Sequence, residues 1–170
     1  MKLTHYTDLG LRLLMYLALR RDETVTIQDA SDRFGISKNH LVKIAHPLTK
    51  SGLIEGVRGR NGGVRLARLP TNISVEDAIL ATEANFELVE CFSDNDHCVI
   101  SDVCRLSGVL INAREAFLKV LRQTTLADLV NNKALDNVLL PHPRVAIVKF
   151  QQQFSPSARQ NQGDKIVSIN

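Results

Sequence analysis

Apolar residues recur every three or four positions through the opening stretch THYTDLGLRLLMYLALRR, so that Leu9, Leu13, Leu14, Tyr16 and Leu17 fall on one side of a helix. Thr4 or Thr7 offers a hydroxyl to cap its start. A second amphipathic pattern fills TVTIQDASDRFGISKNHLVKIAHPLTKSG and is interrupted at Gly35. It predicts two short helices around a tight turn, a helix-turn-helix over about 28–51, with Ser37 capping the second helix. Ile27, Ala30 and Phe34 turn inward against Leu41, Ile44 and Leu48, while Lys38, Asn39, His40 and Lys43 face outward at the start of the second helix. Pro47 falls inside that helix, where a proline removes a hydrogen bond and clashes with the preceding turn at ~3 kcal/mol. The helix is therefore expected to kink or finish near Ala45.

The pattern then shortens. In LIEGVRGRNGGVRLAR two apolar runs, Leu53–Val57 and Val64–Ala67, are joined by RGRNGG, in which Asn61, Gly62 and Gly63 accept positive φ. This predicts a hairpin over 53–68, and a hairpin directly after a helix-turn-helix makes a winged helix. SVEDAILATEA reads as a further helix capped by Ser74, with Glu76 and Asp77 in its first turn, where the helix dipole favours acids. From about Asp102 to Arg122 a long helical pattern places Val109, Ala113, Ala116, Phe117 and Val120 three and four apart. Its length exceeds what a small core needs, which suits a dimerisation element; packing back on the first helix is the alternative. TTLADLVNN predicts one more short helix, capped by Thr124 or Thr125, and the polar stretch QQQFSPSARQNQGDK reads as part of a mobile tail. The expected fold is thus mainly α: a winged helix-turn-helix DNA-binding domain over 1–82, a cysteine loop over 83–104, a long C-terminal dimerisation helix over 105–131 and a tail over 132–170.

Composition narrows the picture. A chain of 170 residues, 44% hydrophobic and 23% charged, buries one real core. No stretch approaches the ~18 apolar residues of a membrane span, and MKLTHYTDLG lacks the pattern of a secretory signal, so the expected location is cytoplasmic, with no membrane partner. The net charge of +3 says little, but its distribution says more. Between Ser37 and Arg68 there are Lys38, Lys43, Lys50, Arg58, Arg60, Arg65 and Arg68 against the single acid Glu55, whereas Glu87 to Cys104 holds Glu87, Glu90, Asp94, Asp96 and Asp102 with no Lys or Arg. Basic residues on a glycine-rich wing suit double-stranded DNA, since glycines let backbone N–H groups approach phosphate while Arg58 and Arg60 neutralise charge or enter a minor groove. An enzyme is disfavoured: there is no phosphate-binding glycine loop after a strand, no Cys-x-x-Cys and no paired catalytic carboxylates with a plausible pocket.

Every cysteine lies in CFSDNDHCVISDVC, as Cys91, Cys98 and Cys104. In a reducing compartment such thiols read as metal ligands or a redox site, not as a disulfide framework. Zinc with His97 as fourth ligand competes with an iron-sulfur cluster. Adjacent His97 and Cys98 are poorly placed to share one tetrahedral ion, and zinc pairs favour shorter C-x2-4-C spacing. The longer loops here leave room to wrap a cluster, whose usual ligands are thiolates.

The opening LTHYTDLGLRLLMYLA, the helix-turn-helix IQDASDRFGISKNHLVKI, the wing VRGRNGGVRLAR and the three-cysteine loop together resemble the winged-helix iron-sulfur regulators that include IscR and NsrR, over about residues 1–131. The resemblance implies a homodimeric transcriptional repressor whose Cys91, Cys98 and Cys104 hold a 4Fe-4S or 2Fe-2S cluster. IscR-like members are expected to carry a histidine three residues after the last cysteine, where this chain has Ser107; NsrR-like members carry an aspartate in the first helix that reaches across the dimer, where this chain has Asp8. The nitric-oxide-sensitive NsrR branch is the closer match, and it implies nitric oxide as the signal and nitrosative-stress defence genes as the target. A regulator of the same fold sensing iron supply or redox state, and a zinc-stabilised DNA-binding protein, are the alternatives. DNA contacts are expected from Ser37, Lys38, Asn39, His40 and Lys43 on the helix and Arg58, Arg60 and Asn61 on the wing, with an inverted-repeat operator.

Overall fold

The structure, a computed structural model, describes residues 2–60, 62–83, 85, 87–92, 98–100 and 103–140. Helix α1, His5–Leu19, is capped by Thr4, whose hydroxyl accepts the Thr7 N–H at 3.2 Å. Leu9, Leu13, Leu14, Tyr16 and Leu17 are buried, as their spacing predicts, and the elements that follow pack around them.

Helix α2, Ile27–Phe34, begins with a reciprocal capping box between Thr26 and Asp29 and ends at Gly35, whose φ of 65° is the left-handed turn read from the sequence. Helix α3, Lys38–Lys50, is capped by Ser37 and buries Leu41, Ile44, Ala45 and Leu48. The expected break near Ala45 does not occur, because α3 runs on through Pro47. The carbonyl that an N–H at position 47 would have served, that of Lys43, is instead taken by the Tyr6 hydroxyl of α1. A partner outside the helix thus supplies the bond the proline removes.

The wing consists of β1, Ile54–Val57, and β2, Gly63–Leu66, paired antiparallel with Glu55 opposite Arg65 and Gly56 opposite Val64. Val25 adds a bridge to Val64, with N–H to carbonyl distances of 3.0 and 2.8 Å, which roots the hairpin in the segment before α2. The glycines serve a different purpose from the one expected. Positive φ falls on Gly59, at 114°, and not on Gly62 or Gly63. These two are glycine for want of room: a Cβ on Gly62 would lie 2.5 Å from the Val57 carbonyl oxygen, and one on Gly63 2.4 Å from that of Val25. Asn61 lies outside the described residues.

After a 3-10 turn at Pro70–Asn72, helix α4, Val75–Thr82, is capped by Ser74 in a box with Asp77. A 3-10 turn at Glu90–Phe92 carries Cys91, and α5, Arg105–Gln123, follows with Cys104 at its N-cap. The expected dimerisation helix of 105–131 is two helices, since α5 stops before Thr124 and α6, Leu126–Val130, restarts at a Thr125–Asp128 capping box. The backbones of Ile73 and Val75 bond those of Leu126 and Thr124 at 2.9 and 2.8 Å, tying the end of α5 to the start of α4. The chain continues past residue 132, where the tail was expected, as α7, Lys133–Leu139; its Leu139 packs on the core, and Arg33 of α2 donates to the Val138 carbonyl at 3.4 Å. The rest of the expected tail lies beyond the described residues.

The face that α5 turns inward explains its length. Leu118 is buried and Leu110, Phe117 and Leu121 are half-buried on one side of α5, which packs against α4, whereas Val109 and Val120 are each 62% exposed and Ala113 and Ala116 are exposed as well. The helix therefore carries two apolar sides, and within one chain only one of them is covered by described residues. Within the chain α5 packs chiefly against α4.

Candidate nucleic-acid interface and cysteine segment

Ser37 accepts the His40 N–H at 3.3 Å and so fixes the first turn of α3. The next positions alternate between core and solvent: Leu41, Ile44 and Ala45 go in, and Ser37, Lys38, Asn39, His40 and Lys43 stay out on one exposed side. Val42, half-exposed, shares that side and was not singled out from the sequence. Its signal was present, since it is an apolar residue out of phase with the core positions. A valine there can meet a thymine methyl in a major groove.

The seven basic residues of this region are not equivalent. Arg65 pairs with Glu55 at 2.6 Å because the strand register places them opposite each other, and Arg68 donates to the Gly52 carbonyl at 3.2 Å. Lys38, Lys43, Arg58 and Arg60 are exposed and form no ion pair with a described residue. Positive charge able to meet phosphate is thereby concentrated on the exposed side of α3 and on the turn of the wing.

In the cysteine segment Cys91 and Cys104 are half-buried and Cys98 is exposed. Val99, Ile100 and Val103 around them are exposed apolar residues. Among the described residues no group of three or more His, Cys, Asp and Glu side chains is gathered into a metal-holding set. His97, the zinc alternative, lies outside the described residues. Asp8 sits on the outer side of α1, bonded to Arg12 through Nη2 at 2.8 Å and Nε at 3.2 Å, with His5 Nδ1 at 3.9 Å. The donor chemistry fits an iron-sulfur cluster: three thiols on one short segment are the soft ligands that such a group takes. Beside them, the Arg114 guanidinium lies 5.3 Å from the centre of the Phe92 ring, next to Cys91, and its buried Nε meets no acceptor among the described residues. The same guanidinium pairs with Glu115 through Nη2 at 3.4 Å.

The start of this segment is tied to α1. Glu83, at the C-cap of α4, accepts the Thr4 N–H at 2.8 Å and the Thr4 hydroxyl at 3.1 Å. Burial opposes ionisation of Glu83, but hydrogen bonds from Thr7 and Thr4 outweigh it and hold the carboxyl below its ordinary value.

Comparison with known proteins agrees with this geometry. Residues 3–132 match the family Rrf2, described as an iron-dependent transcriptional regulator. The HTH-type transcriptional regulator NsrR of Halalkalibacterium halodurans is 48% identical over 135 residues, covering 78% of this chain and 92% of that protein. Among solved structures, CymR, the global cysteine regulator of B. subtilis, superposes with a TM-score of 0.62 at 26% identity, covering 76% of this chain and 96% of its own. IscR of T. potens does so with a TM-score of 0.62 at 26% identity over 84% and 94%. Among the described residues no helix is long and apolar enough to cross a membrane.

Proposed function

Because the chain belongs to the Rrf2 family of iron-dependent transcriptional regulators, we propose that it is a homodimeric repressor that senses nitric oxide through an iron-sulfur cluster and controls nitrosative-stress defence genes. Cys91, Cys98 and Cys104 would hold the cluster, with Asp8 of a second copy as the remaining ligand. The observation that carries this reading is the place of Cys104, at the N-cap of a helix with an apolar side that no described residue covers. Ligation there acts on the dimer-forming element directly. Ser107, where the IscR branch is expected to have a histidine, together with Asp8 on α1, supports the nitric-oxide-sensitive branch.

A bound cluster supplies iron sites that react with nitric oxide, most readily where a hard carboxylate oxygen is a poor match for soft iron-sulfur chemistry. What the chain contributes is the linkage. Cys104 directly precedes the first turn of α5, the far end of α5 is bonded to the start of α4, and Asp8 lies on α1, which packs on α3. If the cluster that would join the thiols of one copy to Asp8 of the other were lost, the two winged helices would no longer be held at a fixed separation. Two recognition helices enter successive major grooves ~10 to 11 base pairs apart, or a multiple of that, so a change of separation takes them out of register with an inverted-repeat operator. A switch of about 100-fold in affinity corresponds to ~2.7 kcal/mol.

The test is anaerobic purification with iron, sulfide and visible-absorbance analysis, then titration with nitric oxide while operator binding is followed. Absorbance and operator binding are expected to fall together, and Cys98→Ala is expected to leave a folded dimer without cluster-dependent operator binding. One zinc per chain, or full operator affinity after the cluster is lost, would remove the mechanism and leave the winged helix.

A further inference from the structure

Neither DNA contact nor ligation accounts for Tyr6 and Pro47. Tyr6 lies in the first turn of α1, on the side that packs against the core, two positions before the outward-facing Asp8. Its phenol O–H is a donor. It donates to the Lys43 carbonyl, the one backbone acceptor in α3 that Pro47 deprives of an intrahelical partner. Lys43 belongs to the exposed side of α3 that also bears Lys38, Asn39 and Val42. The hydrogen-bond ladder of the recognition helix is therefore completed by another helix, at the residue where that helix faces DNA. At its other end the same turn of α1 is held by the Glu83 carboxylate, through the Thr4 N–H and hydroxyl, at the entrance to the cysteine segment. One helical turn thus connects the cysteine segment, Asp8 and the middle of α3.

We propose that Tyr6 is a positioning residue for DNA recognition: its hydroxyl fastens the Pro47 gap of α3 to the first turn of α1, so that the posture of the recognition helix follows that turn. The dependence on cluster state rests on the function proposed above; the positioning of α3 does not. A proline at 47 leaves an acceptor that only α1 satisfies. An alanine there would restore the N–H and make the helix self-sufficient.

Four full-length proteins, purified anaerobically, decide it: wild type, Tyr6→Phe, Pro47→Ala and the double variant. Affinity is measured for a duplex selected by the wild-type protein from a random pool and for a scrambled duplex of equal length, with cluster absorbance recorded before and after nitric oxide. Tyr6→Phe is expected to bind the selected duplex roughly fivefold more weakly, the effect of one neutral hydrogen bond, with scrambled binding and cluster absorbance unchanged. In the Pro47→Ala background the same Phe substitution is expected to cost nothing, and Pro47→Ala is expected to blunt the response of DNA binding to nitric oxide. Wild-type affinity in Tyr6→Phe, or an equal loss in both backgrounds, overturns the proposal. Should Tyr6→Phe alone fail to fold, unequal affinities of Pro47→Ala and the double variant would overturn it in the same way. A wild-type protein without cluster absorbance would instead count against the functional reading, and the four affinities measured without nitric oxide would still decide the role of Tyr6.

Discussion

Arg60 and Arg65 carry the same charge on the same hairpin, yet their surroundings give them different work. Arg65 is held by Glu55 across the strand pair, while Arg60 stands exposed on the turn. Arg60→Ala is expected to weaken binding to all duplexes alike and to lower the slope of log K against log salt by about one; binding isotherms at several salt concentrations measure this. Arg65→Ala is expected to leave the slope near that of wild type, because its charge is already compensated. Residue type was enough to find the basic region from the sequence. Register was needed to see that Arg65 is paired, and that depends on which residue of β1 faces which of β2.

Between elements, the sharpest contact is the fork of Arg122 at the end of α5 on Glu76 at the start of α4, with both N–O distances 2.6 Å. The two partners differ in exposure, 60% for the Arg122 side chain and 9% for that of Glu76, so their removal is not symmetric. Arg122→Met strands a buried carboxylate and is expected to lower the melting temperature more than Arg122→Met combined with Glu76→Leu, which leaves no charge behind; thermal melts of the two proteins make the comparison. The limits of sequence reading show at this scale as well. Caps were legible because Thr4, Ser37, Ser74 and Thr125 each bond a backbone N–H three residues on. The course of α3 through Pro47 was not, because its compensation comes from Tyr6, remote in sequence. Gly62 and Gly63 were recognised as necessary glycines for the wrong reason: the approach of Val57 and Val25 demands them, and no local pattern reports a tertiary approach.

For the whole molecule, the outward stripe of α5 is the decisive surface. Val109, Ala113, Ala116 and Val120, which together with Phe117 marked this helix in the sequence, are exposed on a side that no described residue covers, while Phe117 is half-buried beside the buried Leu118. If a second copy covers the stripe, Val109→Asp buries a charge in that interface with no partner described for it. The variant is expected to run as a folded monomer by light scattering and to lose operator affinity while keeping the binding of a single winged helix. If a second copy covers that stripe, the melting point belongs to the pair and not to the single chain. Association stabilises the folded state by mass action, so the unfolding temperature of the wild-type protein should rise with protein concentration, and that of Val109→Asp should not. If the stripe is paired in this way, dilution itself weakens the fold.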